Sequence, residues 1–209
     1  SVGNKIKVPS KKTLWTVKGN KILSKNKPVT LLWNNGNGII FKRKIELDDK
    51  YLFKITQEVQ NNSSKNIELY PYAQITRNKI PEDIQNFYIS HEGFIGVFDE
   101  ELKEDDYEDI EENKIIREAD EGWLGMTDKY WMAAVVPKRG ENFKSTFLYK
   151  DAFKANYILN NPTIIKPAEL NSNEVKLFVA AKEVDTIDTY ATNQQINKFD
   201  LVIDWGWFY

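Results

Sequence analysis

Proton transfer near neutral pH falls most easily to histidine, and this chain of 209 residues has one, His91, in Ser90-His91-Glu92-Gly93. A His-Glu pair could serve acid–base chemistry. Neighbours along a strand, however, project to opposite faces and cannot share one substrate proton. His91 therefore reads as a structural residue, and no catalytic residue is expected. Cysteine is absent, which removes disulfides, thiol nucleophiles and Cys-ligated metals. One histidine is too few for ordinary zinc or copper spheres. Oxygen ligands are dense only in Asp99–Glu112, where ten carboxylates meet one lysine for a net charge of −9. That run lacks the DxDxDG spacing and turn glycine of a calcium loop, so it reads as a solvated, self-repelling loop. No metal or cofactor is expected.

Phosphate chemistry finds no support either. GxGxxG, Walker and GxSxG patterns are missing, and Gly36-Asn37-Gly38 has no helix behind it. The overall charge of −2 gives no bulk attraction for nucleic acid. Lys42, Arg43 and Lys44 sit at interleaved strand positions and need no such partner. Aromatic rings are the remaining resource, at 13% of the chain. Trp15, Trp33 and Trp123 could stack on sugar rings if exposed, which keeps a carbohydrate-binding or sugar-active domain as the alternative reading. Trp205, Trp207, Phe208 and Tyr209 form a denser group. They suit a last strand tucked into a sheet, or an amphipathic belt at the headgroup level of a bilayer.

The elements that would position these residues are mostly strands. Ile39, Phe41, Arg43, Ile45 and Leu47 alternate with Ile40, Lys42, Lys44 and Glu46, and Tyr51–Val59 alternates likewise. Period-two alternation of this length predicts antiparallel strands with one wet face. Asn34–Gly38 is the strongest turn signal, because Asn and Gly tolerate positive φ. Thr13–Val17, Pro28–Trp33, Ile67–Thr76, Phe87–Phe98, Ala155–Ile165 and Val175–Val184 read as further strands, with Pro71 marking an edge or bulge. In Gly122–Pro137 a tight turn is expected to feed a buried central strand with Trp131 as its core anchor. One helix is expected, over Asp185–Lys198, with Asp185 as N-cap and Ile187 and Tyr190 on a thin apolar face that packs on the sheet or meets a partner. The fold class is therefore mainly β, a large antiparallel β-sandwich with a short C-terminal α-helix. The organisation expected is a flexible lead-in over 1–12, a β-sandwich over 13–184, and a helix with an aromatic segment over 185–209. No run of about 18 apolar residues exists and no signal-peptide pattern opens the chain, so it reads as a soluble piece excised from something longer.

The string GWLGMTDKYW (Gly122–Trp131), followed by a short apolar strand and Pro137, and the closing DWGWFY together resemble the periplasmic domain of the bacterial membrane-protein insertase (YidC) family. PVTLLWNNGNGIIFKRKIELDDKYLF, YPYAQITR and HEGFIGVF agree in the same order, so the resemblance covers Leu14 to Tyr209. It implies a supersandwich similar to galactose-mutarotase-like folds, whose opening strands would precede Ser1. It also implies a non-catalytic role on the periplasmic side of the inner membrane, within a multi-spanning protein that inserts and folds membrane proteins. The partners it implies are the Sec translocon accessory subunits SecDF and nascent membrane proteins. Within the motif, Gly122, Trp123, Gly125, Asp128, Tyr130 and Trp131 would be structural. Trp205, Trp207, Phe208 and Tyr209 would be membrane-proximal.

Overall fold

Strong alternation does become antiparallel pairing in the computed structural model, which describes residues 6–81 and 91–203. The strands are β1 (Thr16–Lys18), β2 (Val29–Asn34), β3 (Ile39–Leu47), β4 (Leu52–Asn61), β5 (Ile67–Leu69), β6 (Tyr72–Arg77), β7 (Gly93–Phe98) and β8 (Glu101–Asp105). A short helix α1 (Tyr107–Glu112) precedes β9 (Ile115–Ala119), β10 (Gly122–Thr127), β11 (Trp131–Pro137), β12 (Phe143–Tyr149), β13 (Phe153–Leu159), β14 (Thr163–Ile165) and β15 (Leu170–Ala181). Helix α2 (Val184–Asn193) and a 3₁₀ turn, Phe199–Val202, complete the described elements.

The chain divides into two compact units, one containing the residues up to Pro71 with Asn160–Lys176, the other Tyr72–Leu159 with the residues from Leu177 onward. In the first unit β1-β2-β3-β4 is an antiparallel meander, with Trp33 opposite Phe41 and Phe41 opposite Val59. β5 and β14 form a separate ribbon, with Ile67 opposite Ile165. Ile39, Phe41, Ile67 and Ile165 make the core here, flanked by Trp15, Trp33, Val59 and Leu69. Asn61 is fully buried, yet all its polar atoms are used. Its Nδ2 donates to the Lys65 and Ile165 carbonyls at 2.8 and 2.9 Å, and its Oδ1 accepts from Ser63 N and Oγ. Such satisfaction is what a buried amide requires.

In the second unit β8-β7-β10-β11 and the end of β15 face the sheet β6-β13-β12-β9. Aromatic rings fill the space between them. Phe94 lies 4.9 Å from Phe147, Tyr107 4.8 Å from Phe153 and Phe143 5.8 Å from Tyr157, between ring centroids. On the far side of β10, Trp123 and Phe178 pack on Phe199 at 5.4 Å each, and Phe178 on Tyr190 at 5.9 Å. β10 and β11 are thus covered on both faces, which explains why Met132–Val136 is a continuous apolar run.

Several expectations are corrected. Gly122–Pro137 is a hairpin of two strands, and its turn lies at Asp128–Trp131, not before it. Trp131 is 61% exposed while Met132, Ala134 and Val136 are buried, because Trp131 stands at the hairpin tip beyond the paired core. Ile67–Thr76 breaks at Tyr70-Pro71 into β5 and β6, which pair in different sheets. Ala155–Ile165 likewise breaks at Asn160–Pro162. Proline withholds the N–H that a continuing ladder would need. The acidic run is no loop but β8 followed by α1, ordered by Tyr107 and Ile110, which point inward. Helix α2 begins two residues earlier than Asp185 suggested, with Glu183 as N-cap, and ends at Asn193. Leu201 and Val202 close the 3₁₀ turn, with Ile203 as its C-cap. The expected strand over Phe87–Ser90 lies outside the described residues, as do Trp205, Trp207, Phe208 and Tyr209.

Candidate interaction surface at the hairpin tip

The motif Gly122–Trp131 divides into a buried base and an exposed tip. At the base, a Cβ on Gly122 would stand 1.9 Å from the Val97 carbonyl oxygen, and φ there is +139°. A Cβ on Gly125 would stand 2.0 Å from the Ala133 oxygen. Only glycine fits either place, which is how backbone approaches this close are built. Between them Trp123 is fully buried, and its indole N–H donates to the Asn197 carbonyl at 3.0 Å.

The turn is tied down by side chains from distant segments. Asp128 N donates to the Trp131 carbonyl at 2.8 Å, and the Tyr130 carbonyl accepts from Lys182 N at 2.8 Å. The Asp128 carboxylate takes both ends of the Arg77 guanidinium, with Nη2 to Oδ2 at 2.8 Å. Arg77 also donates to the Tyr107 hydroxyl at 3.1 Å and, through Nε, to the Lys79 carbonyl at 3.1 Å. Bidentate, charge-assisted contacts of this kind hold geometry as well as energy. Burial opposes the Arg77 cation, but Asp128 and Tyr107 outweigh it and the guanidinium pKa is raised. Burial likewise pushes the Tyr107 hydroxyl up.

Beyond this base Tyr130 and Trp131, consecutive in the chain, stand 65% and 61% exposed, with Lys129 Nζ 5.2 Å from the Tyr130 ring centroid. Two large rings on a rigid mount lose little conformational freedom when they meet a partner. Arg77, the residue that holds Asp128, is 51 positions away, so no local pattern pointed to it.

A second convergence involves the C-terminal elements. Ile187 and Tyr190 are buried and pack inward, so their side chains present nothing outward. Lys198, in the left-handed region at φ 51°, donates to the Glu100 carbonyl at 2.5 Å and pairs with its carboxylate at 3.0 Å. Lys198, and then Asn197, hold the Glu100 carboxyl below its ordinary pKa. Asn197 Nδ2 donates to the Asp99 carbonyl at 3.0 Å. An open groove of about 710 Å³ beside them is lined by both charge signs, among them Arg139, Asp188, Lys198 and Asp200.

The groups with catalytic potential are otherwise engaged. His91 Nε2 is 2.8 Å from the Phe94 carbonyl, and Nδ1 is 3.6 Å from Asp106 Oδ1. Among the described residues no three His, Asp or Glu side chains are placed to share a metal ion. Trp15 and Trp33 are half-buried and Trp123 fully so, which takes one of the three proposed sugar platforms away. No described helix is long and apolar enough to cross a membrane.

Comparison with known proteins fits this picture. The family model for the YidC periplasmic domain matches residues 1–209. A membrane protein insertase YidC of Pelagibacter ubique (strain HTCC1062) is 45% identical over 209 residues, covering all of this chain and 37% of the relative. The counterpart from Brucella melitensis biotype 1 is 39% identical over 208 residues, covering 97% of this chain and 34% of the relative. The chain thus spans about a third of the length of these curated relatives. Among solved structures, a galactose mutarotase related enzyme from Lactobacillus acidophilus superposes with a TM-score of 0.55 at 12% identity, over 81% of this chain and 73% of that one. The galactosidase domain of an α-galactosidase–sucrose kinase gives 0.53 at 7% identity, over 87% and 29%. Those two likenesses concern the fold alone. With its whole length matched and its relatives this similar, the chain belongs to the YidC periplasmic domain family.

Proposed function

We propose that this chain is a non-catalytic, partner-holding module on the periplasmic side of the inner membrane, within a longer protein that inserts and folds membrane proteins. In this reading the module docks accessory subunits of the Sec translocon, SecDF, near incoming membrane proteins. The insertion step itself belongs to parts of the relatives that this chain does not span. One observation carries the proposal beyond family membership: two consecutive exposed aromatic residues, Tyr130 and Trp131, on a hairpin whose base is locked by Gly125, Arg77 and Asp128. Exposed aromatic pairs on rigid mounts are typical contact anchors. The same reading places Trp205, Trp207, Phe208 and Tyr209 near the lipid headgroups, where amphipathic rings are most favourable.

The test uses the full-length protein in its native membrane, with a photo-crosslinking amino acid in place of Trp131 or, as a control, Ile116, which is also exposed. Adducts to a SecDF subunit from position 131 and not from 116 are expected. Equal labelling from both, or none from 131, would remove the tip from the interaction surface.

A further inference from the structure

The chain has four arginines, and three of them carry a carboxylate. Arg77 is paired with Asp128, Arg117 with Asp105 at 2.7 Å, and Arg139 with Glu121 at 2.9 Å. Arg43 is the exception. It stands in the middle of β3 on the same face as Phe41 and Ile45, opposite Leu31 on β2 and Gln57 on β4. Its guanidinium carbon is 5.2 Å from the Trp15 ring centroid, and Nη2 donates to Gln57 Oε1 at 3.1 Å. Nε is buried with no hydrogen-bond partner, and no carboxylate among the described residues lies within ion-pair distance. Burial lowers its pKa, and no neighbouring charge acts the other way. An arginine does not shed its proton in a protein, so the cost of this half-buried cation is met by folding.

On the opposite face of the same strands the cations are matched. Lys42 pairs with Glu58 at 2.9 Å, and Lys44 and Lys54 both pair with Glu46. Among the cations described on β3 and β4, the missing counter-ion is thus specific to Arg43. A neutral side chain of similar length would suit this apolar face better, as Met replaces Arg in other buried settings. A planar guanidinium with free N–H groups, backed by an indole ring, is the usual receptor for a carboxylate.

We propose that Arg43, framed by Trp15 and Gln57 on one face of the β2-β3-β4 sheet, is a binding site for a carboxylate brought by another molecule. The apolar neighbours Leu31 and Ile45 favour an acid group attached to apolar or extended carbon over a bare anion. That acid arrives either as a small organic acid or as an Asp or Glu side chain of a polypeptide. The site is separate from the hairpin tip and stands or falls independently of the role proposed for it.

The test follows tryptophan fluorescence of the purified chain while glutarate, or an N-acetylated, C-amidated tetraglutamate peptide, is titrated in at constant ionic strength. Tetraglutamine and chloride serve as neutral and inorganic controls. A saturable change with either carboxylate is expected, weakened at least about tenfold in Arg43→Met by loss of the charge-assisted contact. Tighter binding of the peptide than of glutarate identifies a polypeptide as the source, and the reverse identifies a small acid. Without ligand, Arg43→Met should melt about 2–4 °C higher, as expected for relief of roughly 1 kcal/mol in a chain of this size. Arg43→Lys, which keeps the charge but not the fork, should bind weakly without that gain. Three results overturn the proposal: no response to either carboxylate up to about 10 mM, a level already weaker than the weakest useful affinities; an equal response to tetraglutamine or in Arg43→Met; or a lower melting point for Arg43→Met, which would mean that the guanidinium is already paired.

Discussion

The hydroxyl of Tyr157 lies in the aromatic core of the second unit with no hydrogen-bond partner among the described residues. An orphaned buried polar group costs its desolvation, so Tyr157→Phe should raise stability by about 1 kcal/mol in urea denaturation. Burial, with the Glu141 charge adding to it, pushes the phenol well above its ordinary pKa. A folded-state pKa above the unfolded value near 10 means that the contribution is whole below about pH 10 and is lost as pH rises further. Tyr72 and Tyr107 are raised by burial in the same sense. The parent should therefore lose stability above about pH 10, and Tyr157→Phe should lose less. An unchanged alkaline limb in the variant would contradict the burial argument. The opposite outcome awaits Gly125→Ala, where the added methyl meets backbone and not a movable side chain; a loss of about 2–4 kcal/mol is expected.

Elements explain why two tryptophans in one motif should behave so differently. Trp123 is held between β10 and the 3₁₀ turn, so Trp123→Ala should cost about 3–5 kcal/mol through lost burial and a cavity. Trp131→Ala, at the tip, should stay within about 0.5 kcal/mol of the parent. Chemical denaturation of both variants checks the pair. The alternation in β3 and β4 was legible because half-buried antiparallel strands impose period two. The hairpin at Asp128–Trp131 was not, because strands covered on both faces lose that alternation and hide where one ends. The acidic run teaches the same lesson about distance. Read locally, Asp105 is one more charge in a solvated, self-repelling run. In the fold its carboxylate takes both ends of Arg117, which also lies over the Phe98 and Phe147 rings. Asp105→Ser should cost up to about 3–5 kcal/mol because it leaves a part-buried cation alone. Glu104→Ser and Asp106→Ser, at exposed positions, should change little. Partners 12 and 51 residues apart, as in Arg117–Asp105 and Arg77–Asp128, leave no periodic trace in a sequence.

For the whole molecule, the question is how the second unit is joined to what surrounds it in the full-length protein. Phe199 is wedged between Trp123 and Phe178, Asn197 is fixed to the Asp99 turn, and Lys198 to Glu100. Four separate contacts thus fasten the chain between Asn197 and Val202. This fastening suits the membrane-proximal role proposed above for Trp205, Trp207, Phe208 and Tyr209. In lipid vesicles, with each tryptophan tested as the sole one in the full-length protein, lipid-borne quenchers should dim Trp205 and Trp207 and spare Trp123. The double change Asn197→Ala and Lys198→Ala should narrow that difference, leaving the terminal pair only partly quenched, because the chain before it is no longer held. Equal quenching of Trp123, Trp205 and Trp207, or none at the last two, would detach the terminal aromatics from the membrane. An unaltered pattern in the double variant would show that the clasp at Glu100 does not set their depth.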